Sequence, residues 1–190
     1  MTPVAAPALT TPRTRTPYEN WRPPVISVSV LALVGATGLV LPRLPGHPWT
    51  LPTGPVDDGQ SPEEAAQAVL TGLPGGLPVH RRVVVDQIQM RRRKIITHLV
   101  VTAPLTTHEA NALTYRDPRA EVRTVRTARV LPCLPERARF RALLGLQTLA
   151  TGATLYLRDG EVQRLEPAPT ASTVTPGHSG PTTTAASVNA

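Results

Sequence analysis

Two runs of β-type sequence, Val83 to Met90 and Ile95 to Val101, flank the basic turn Arg91-Arg92-Arg93-Lys94 and constrain the chain more than any other feature. The second run is apolar almost without interruption (Ile95, Ile96, Leu99, Val100, Val101), the pattern of a strand covered on both faces. It is expected to pair with the first run and to lie at the centre of a sheet.

Around this pair the pattern alternates strand and helix. Residues 25 to 42 read as a hairpin: Ile26, Val28 and Val30 alternate with Ser27 and Ser29, and Gly35-Ala36-Thr37-Gly38 supplies the turn. After Trp49-Thr50-Leu51 and a loop rich in Gly, Pro and Asp, the string Ser61-Pro62-Glu63-Glu64 marks a helix start. It places an N-cap serine, a proline at the first helical position and a glutamate three residues after Ser61, and predicts a helix over 61–72, ended by Pro74-Gly75-Gly76. Downstream, a short helix is expected from Thr107 to Leu113, a strand from Glu121 to Leu131 and a helix from Pro135 to Ala150. That last helix carries Phe140, Leu143, Leu144, Leu146 and Leu149 on a broad apolar side and Arg137 and Arg141 on another. A hairpin from Thr154 to Leu165, turning at Asp159-Gly160, closes the core. The class is α/β, one domain over 25–166. The segments 1–24, with six prolines and scattered Thr and Arg, and 167–190, made of Pro, Thr, Ser and Ala with few other residues, are expected to be disordered tails.

Charge and composition narrow the partners. Of the twenty Lys and Arg only Lys94 is lysine, and the formal net charge of +7 favours anionic partners. Two Trp, three Tyr and one Phe are too few for a stacking platform, and no reading module is evident, which argues against nucleic acid. Cys133 is alone, so no intrachain disulfide framework exists, and a reducing cytoplasm fits. The apolar stretch 25–41 is shorter than the roughly 20 residues of a spanning helix and carries Ser and Gly, so a strand is expected there and no membrane role.

The order of hairpin, Trp, Leu51-Pro52-x-Gly54, acidic Gly turn, Ser-Pro-Glu-Glu helix, two long strands and late helix resembles the Nudix hydrolase family over about residues 25 to 150. The resemblance implies a mixed sheet sandwiched between helices and, in active members, hydrolysis of nucleoside diphosphate derivatives with magnesium held by the box G-x5-E-x7-R-E-U-x-E-E-x-G-U, where U is a bulky apolar residue. Laid on this chain without gaps, the box puts its first glycine at Gly54, its first acid at Gln60, its arginine at Ala68 and the following glutamate at Val69. Leu70 fits the apolar slot, Gly72 and Leu73 take the paired glutamates, Gly75 the last glycine and Gly76 the final apolar residue. The frame persists while the carboxylates are replaced. Positions 69, 72 and 73 are related as i, i+3 and i+4 and would share one face on a helix, and Val69, Gly72 and Leu73 offer magnesium no side-chain oxygen.

Asp57, Asp58, Glu63 and Glu64 lie close in sequence, but a turn accounts for the first two and helix capping for the others. Arg126, Asp86 and His98 are the polar side chains that strand alternation sets among apolar neighbours. They are the candidates for ligand binding; a plain Asp86 to Arg126 ion pair and a satisfied core histidine are the structural alternatives. The expected function is that of a Nudix-fold domain without its metal-binding glutamates, binding a nucleotide-type anion or a protein and needing no cofactor. A divergent magnesium-dependent hydrolase with relocated acids is the alternative, and nucleic-acid binding through the arginines ranks below both.

Overall fold

The computed structural model describes residues 22–167. The tails expected at 1–24 and 167–190 fall almost wholly outside the described residues. In chain order the elements are β1 (Val25–Leu31), β2 (Leu33–Val34), β3 (Gly38–Arg43), β4 (Thr53–Pro55), α1 (Pro62–Val69), β5 (Leu70–Thr71), β6 (Val79–Gln89) and β7 (Lys94–Thr102). There follow α2 (Thr107–Ala112), β8 (Thr114–Tyr115), β9 (Glu121–Arg126), α3 (Thr127–Val130), a 3-10 turn at Leu131–Cys133, α4 (Glu136–Thr151), β10 (Ala153–Arg158) and β11 (Glu161–Pro167).

Six strands form a mixed sheet in the order β11-β10-β6-β7-β1-β4. β6 and β7 pair antiparallel across the basic turn, and β7 also pairs with β1 in parallel, so β7 lies inside the sheet. Its alternation explains the two-sided core. Val100 packs with Val28, Val30, Ala65, Ala66 and Val69 on the α1 face, whereas Leu99 and Val101 pack with Leu31, Val84, Ala138 and Ala142 on the α4 face. The sheet is therefore sandwiched between helices, as expected.

The stretch 25–43 departs from a simple hairpin. β1 pairs with β7 and β4, while the hairpin is the short β2–β3 pair, whose sheet is completed by β9. The chain changes sheets at Ala32, where the Leu33 N–H is taken by Thr102 Oγ1 at 3.1 Å. Thus the apolar segment 25–41 belongs to three strands, and no helix among the described residues is long and apolar enough to cross a membrane.

The strand expected over Glu121–Leu131 ends at Arg126, after which α3 and the 3-10 turn lead into α4. In α4 the buried stripe is Ala138, Ala142, Gly145 and Thr148, and the large apolar residues flank it; Phe140 and Leu143 are exposed. The small stripe lets the helix approach closely: a Cβ on Gly145 would stand 2.6 Å from Leu99 Cδ2 and 2.9 Å from Leu31 Cδ1. Asp159 and Gly160 both have positive φ in the β10–β11 turn, as a two-residue I′ hairpin requires.

Candidate functional site

Helix α1 starts as its sequence demands. The Ser61 N–H donates to Glu64 Oε2 at 2.8 Å and the Glu64 N–H to Ser61 Oγ at 3.2 Å, a closed capping box. These bonds hold the Glu64 carboxyl below its usual range, so it serves the helix start. The other end of α1 differs from expectation. The helix stops at Val69 instead of 72, and Leu70 and Thr71 run on as β5, pairing with Tyr115 and Thr114 of β8.

Gly72 follows with φ +108, and a Cβ there would collide with the Ala112 carbonyl oxygen. Positions 69, 72 and 73 therefore do not share a helical face. No side chain of any kind fits at 72 while β5 stays paired to β8 and Ala112 stays in place.

Four of the positions that the box overlay singles out, Gly54, Gln60, Ala68 and Val69, converge on one cleft of about 220 Å³; Gly72, Leu73 and Gly75 lie outside its lining. Asp57 also lines the cleft, as does a residue sequence reasoning missed, Arg116. The Arg116 N–H donates to the Val69 carbonyl at 3.1 Å, tying the residue after β8 to the last turn of α1. Its side chain lies over Gly54: a Cβ on that buried glycine would stand 3.1 Å from Arg116 Nη1 and 2.8 Å from Val69 Cγ2. Glycine at 54 makes room for the guanidinium. No local pattern announces this, because Arg116 arrives through the β5–β8 pairing.

Asp117, next in sequence, is already engaged. Its Oδ1 accepts from the Arg119 N–H at 3.0 Å and from Nε at 3.1 Å, and its Oδ2 from Nη2 at 2.8 Å. These bonds hold its carboxyl down to about 2. Among the described residues Arg116 makes no ion pair.

Asp86, His98 and Arg126 do not form a common site. Asp86 pairs in register with Thr97 and faces α4, while His98 pairs with Val85 and faces the α1 side of the sheet. Arg126 closes β9 in the other sheet opposite Gly38 and is exposed, correcting the expectation of a buried guanidinium. The partner of Asp86 is Arg141 of α4, whose Nη1 lies 3.1 Å from Asp86 Oδ2; the Asp86 to Arg126 pair is absent. His98, half-buried, has Arg82 Nη1 3.4 Å from its Nδ1. Burial first, then the Arg82 charge, hold its pKa below the usual histidine value, with Glu63 opposing.

No family model matches the chain, and no curated protein matches it. Solved structures do. A Nudix hydrolase from Nitrosomonas europaea superposes with a TM-score of 0.53 at 10% identity, over 73% of this chain and 78% of that one. This is a Nudix-like fold. The E. coli ORF135 protein superposes with a TM-score of 0.51 at 14% identity, over 71% of this chain and 96% of that one. At such identities the likeness is one of fold alone.

The Nudix-like frame raises the question of magnesium, and the residues present do not fit it. A hard cation needs several oxygen ligands, whereas Val69, Gly72 and Leu73 supply none from their side chains and α1 ends before the last two. Among the described residues no group of three His, Cys, Asp or Glu side chains is placed to hold a metal ion.

Proposed function

We propose that this domain binds a nucleotide-type anion in the cleft beside α1 and does not hydrolyse it. The carrying observation is the end of α1. With the helix stopped at Val69 and Gly72 backed against the Ala112 carbonyl, the positions that would present clustered carboxylates to a cation are split between the end of α1 and the loop after the paired strand β5. Without such a cation a diphosphate lacks both its charge clamp and its source of activated water. What remains is a small cleft, basic at Arg116, in a chain of net charge +7, which favours anions by its field.

A divergent hydrolase is the second reading, supported by Asp57 in the cleft lining. The two separate in one experiment. The protein is incubated with ADP-ribose, nucleotide sugars and nucleoside diphosphates in the presence of magnesium or manganese, with products followed by chromatography and binding by thermal shift. A shift in melting temperature with the ligand recovered intact supports the binding domain. Turnover that Asp57→Asn abolishes supports the hydrolase.

A further inference from the structure

The cleft has the donor set of an anion site. Gln60 stands where the box overlay expects an acid, and its Oε1 accepts the Asp57 N–H at 3.1 Å. With that oxygen engaged, the amide nitrogen is the group Gln60 has left to offer, and it carries two N–H donors. Arg116 brings a guanidinium fork to the same cleft, and the neighbouring Asp117, though near enough for the Arg116 charge to help lower its pKa, accepts its hydrogen bonds from Arg119. The Arg116 N–H satisfies one carbonyl at the negative end of α1, that of Val69. Asp57 is the opposing charge; it and Arg116 are both exposed, so water and salt screen the two alike.

We infer that Arg116 and Gln60 form a metal-independent site for a phosphate or diphosphate group, with the guanidinium as its cationic member. The volume of about 220 Å³ suits a phosphate-sized group and leaves any nucleoside attached to it outside the cleft. The assignment rests on reading the cleft as an anion site, and it names the atoms that hold the anion. It requires one glycine: any side chain at 54 would displace Arg116 or Val69.

The test is calorimetry of the full chain in EDTA with sodium pyrophosphate and, separately, ADP. Wild type is expected to bind pyrophosphate, with Arg116→Ala and Gln60→Glu each weakening binding about tenfold or more, as the loss of a charge-assisted bond implies. Arg116→Lys is expected to retain part of the affinity. Arg91→Ala, at the exposed β6–β7 turn, should leave it unchanged, and melting curves confirm that each variant is folded. Tighter binding of ADP than of pyrophosphate assigns the phosphate to a nucleotide; equal or weaker binding assigns it to free diphosphate. No pyrophosphate binding by wild type, or equal affinity in Arg116→Ala, overturns the assignment. If ADP binds wild type and Arg116→Ala alike, nucleotide binding stands and this site falls. If pyrophosphate binds through Arg116 while no nucleotide-type ligand binds, the site stands and the nucleotide reading falls.

Discussion

Asp86 of β6 and Arg141 of α4 form an ion pair at 3.1 Å across the sheet–helix interface, with Asp86 only 5% exposed. The pair is incompletely satisfied: Asp86 Oδ1 and Arg141 Nε, both buried, have no hydrogen-bond partner among the described residues. Such a pair adds little over an apolar substitute, yet breaking it leaves an uncompensated buried charge. Arg141→Ala is expected to lower unfolding free energy by about 3–5 kcal/mol in denaturant titrations. Arg126→Ala, at an exposed strand end, is expected to change it by no more than about 0.5 kcal/mol. Equal effects would contradict this division of roles.

Gly72 and Gly59 both adopt positive φ, +108 and +80, but only Gly72 has backbone against its Cβ position. Gly59→Ala should therefore cost only the backbone strain, on the order of 1 kcal/mol. Gly72→Ala must also displace Ala112, so its cost is expected to exceed the roughly 3 kcal/mol upper range for strain alone. Gly72→Glu is expected to destabilise at least as much and to gain no stabilisation from magnesium. A magnesium-dependent rise in its melting temperature would show that α1 extends readily to residue 72.

His98 carries a pH dependence whose sign is fixed by its lowered folded pKa. Unfolded, the ring protonates near 6.5; folded, it protonates at lower pH, so the unfolded state binds more protons between the two values. Stability is therefore lost as pH falls below about 6.5 and the loss levels off beneath the folded pKa. NMR titration should place the His98 midpoint below 6.5, and His98→Gln should flatten the melting temperature between roughly pH 7 and 5. A midpoint at or above 6.5 would sink the assignment.

Asp117 offers a local check on the loop beside the cleft. Its low pKa of about 2 derives mainly from the Arg119 hydrogen bonds. In Arg119→Ala the carboxyl is expected to titrate closer to the ordinary 3.8. Once released, Asp117 can compete for Arg116, so anion binding should weaken as well. An unchanged Asp117 titration in that variant would mean another group holds the carboxylate.

Much of the scaffold was legible because its signals are local. The apolar run Ile95 to Val101 marked an inner strand, and Ser61-Pro62-Glu63-Glu64 marked the start of α1 to the residue. What escaped was set by partners distant in sequence. β1 left the expected hairpin because β7 and β4 offered it pairing, and α1 stopped short because Leu70 and Thr71 found Tyr115 and Thr114. The Asp86 to Arg126 pairing failed for two reasons: β9 ends at Arg126, and α4 brings Arg141 to Asp86. Arg116 carried no motif; only the tertiary pairing that delivers it to Gly54 gives it a place in the cleft.

Calorimetric titration of ADP-ribose into the protein, with and without EDTA and with chromatography of the recovered ligand, tests most directly whether this Nudix-like domain binds without hydrolysing. The expected result is saturable binding of equal affinity in EDTA and in magnesium, with the ligand recovered whole. Binding that appears only with magnesium, or conversion of ADP-ribose to AMP and ribose phosphate, would contradict it.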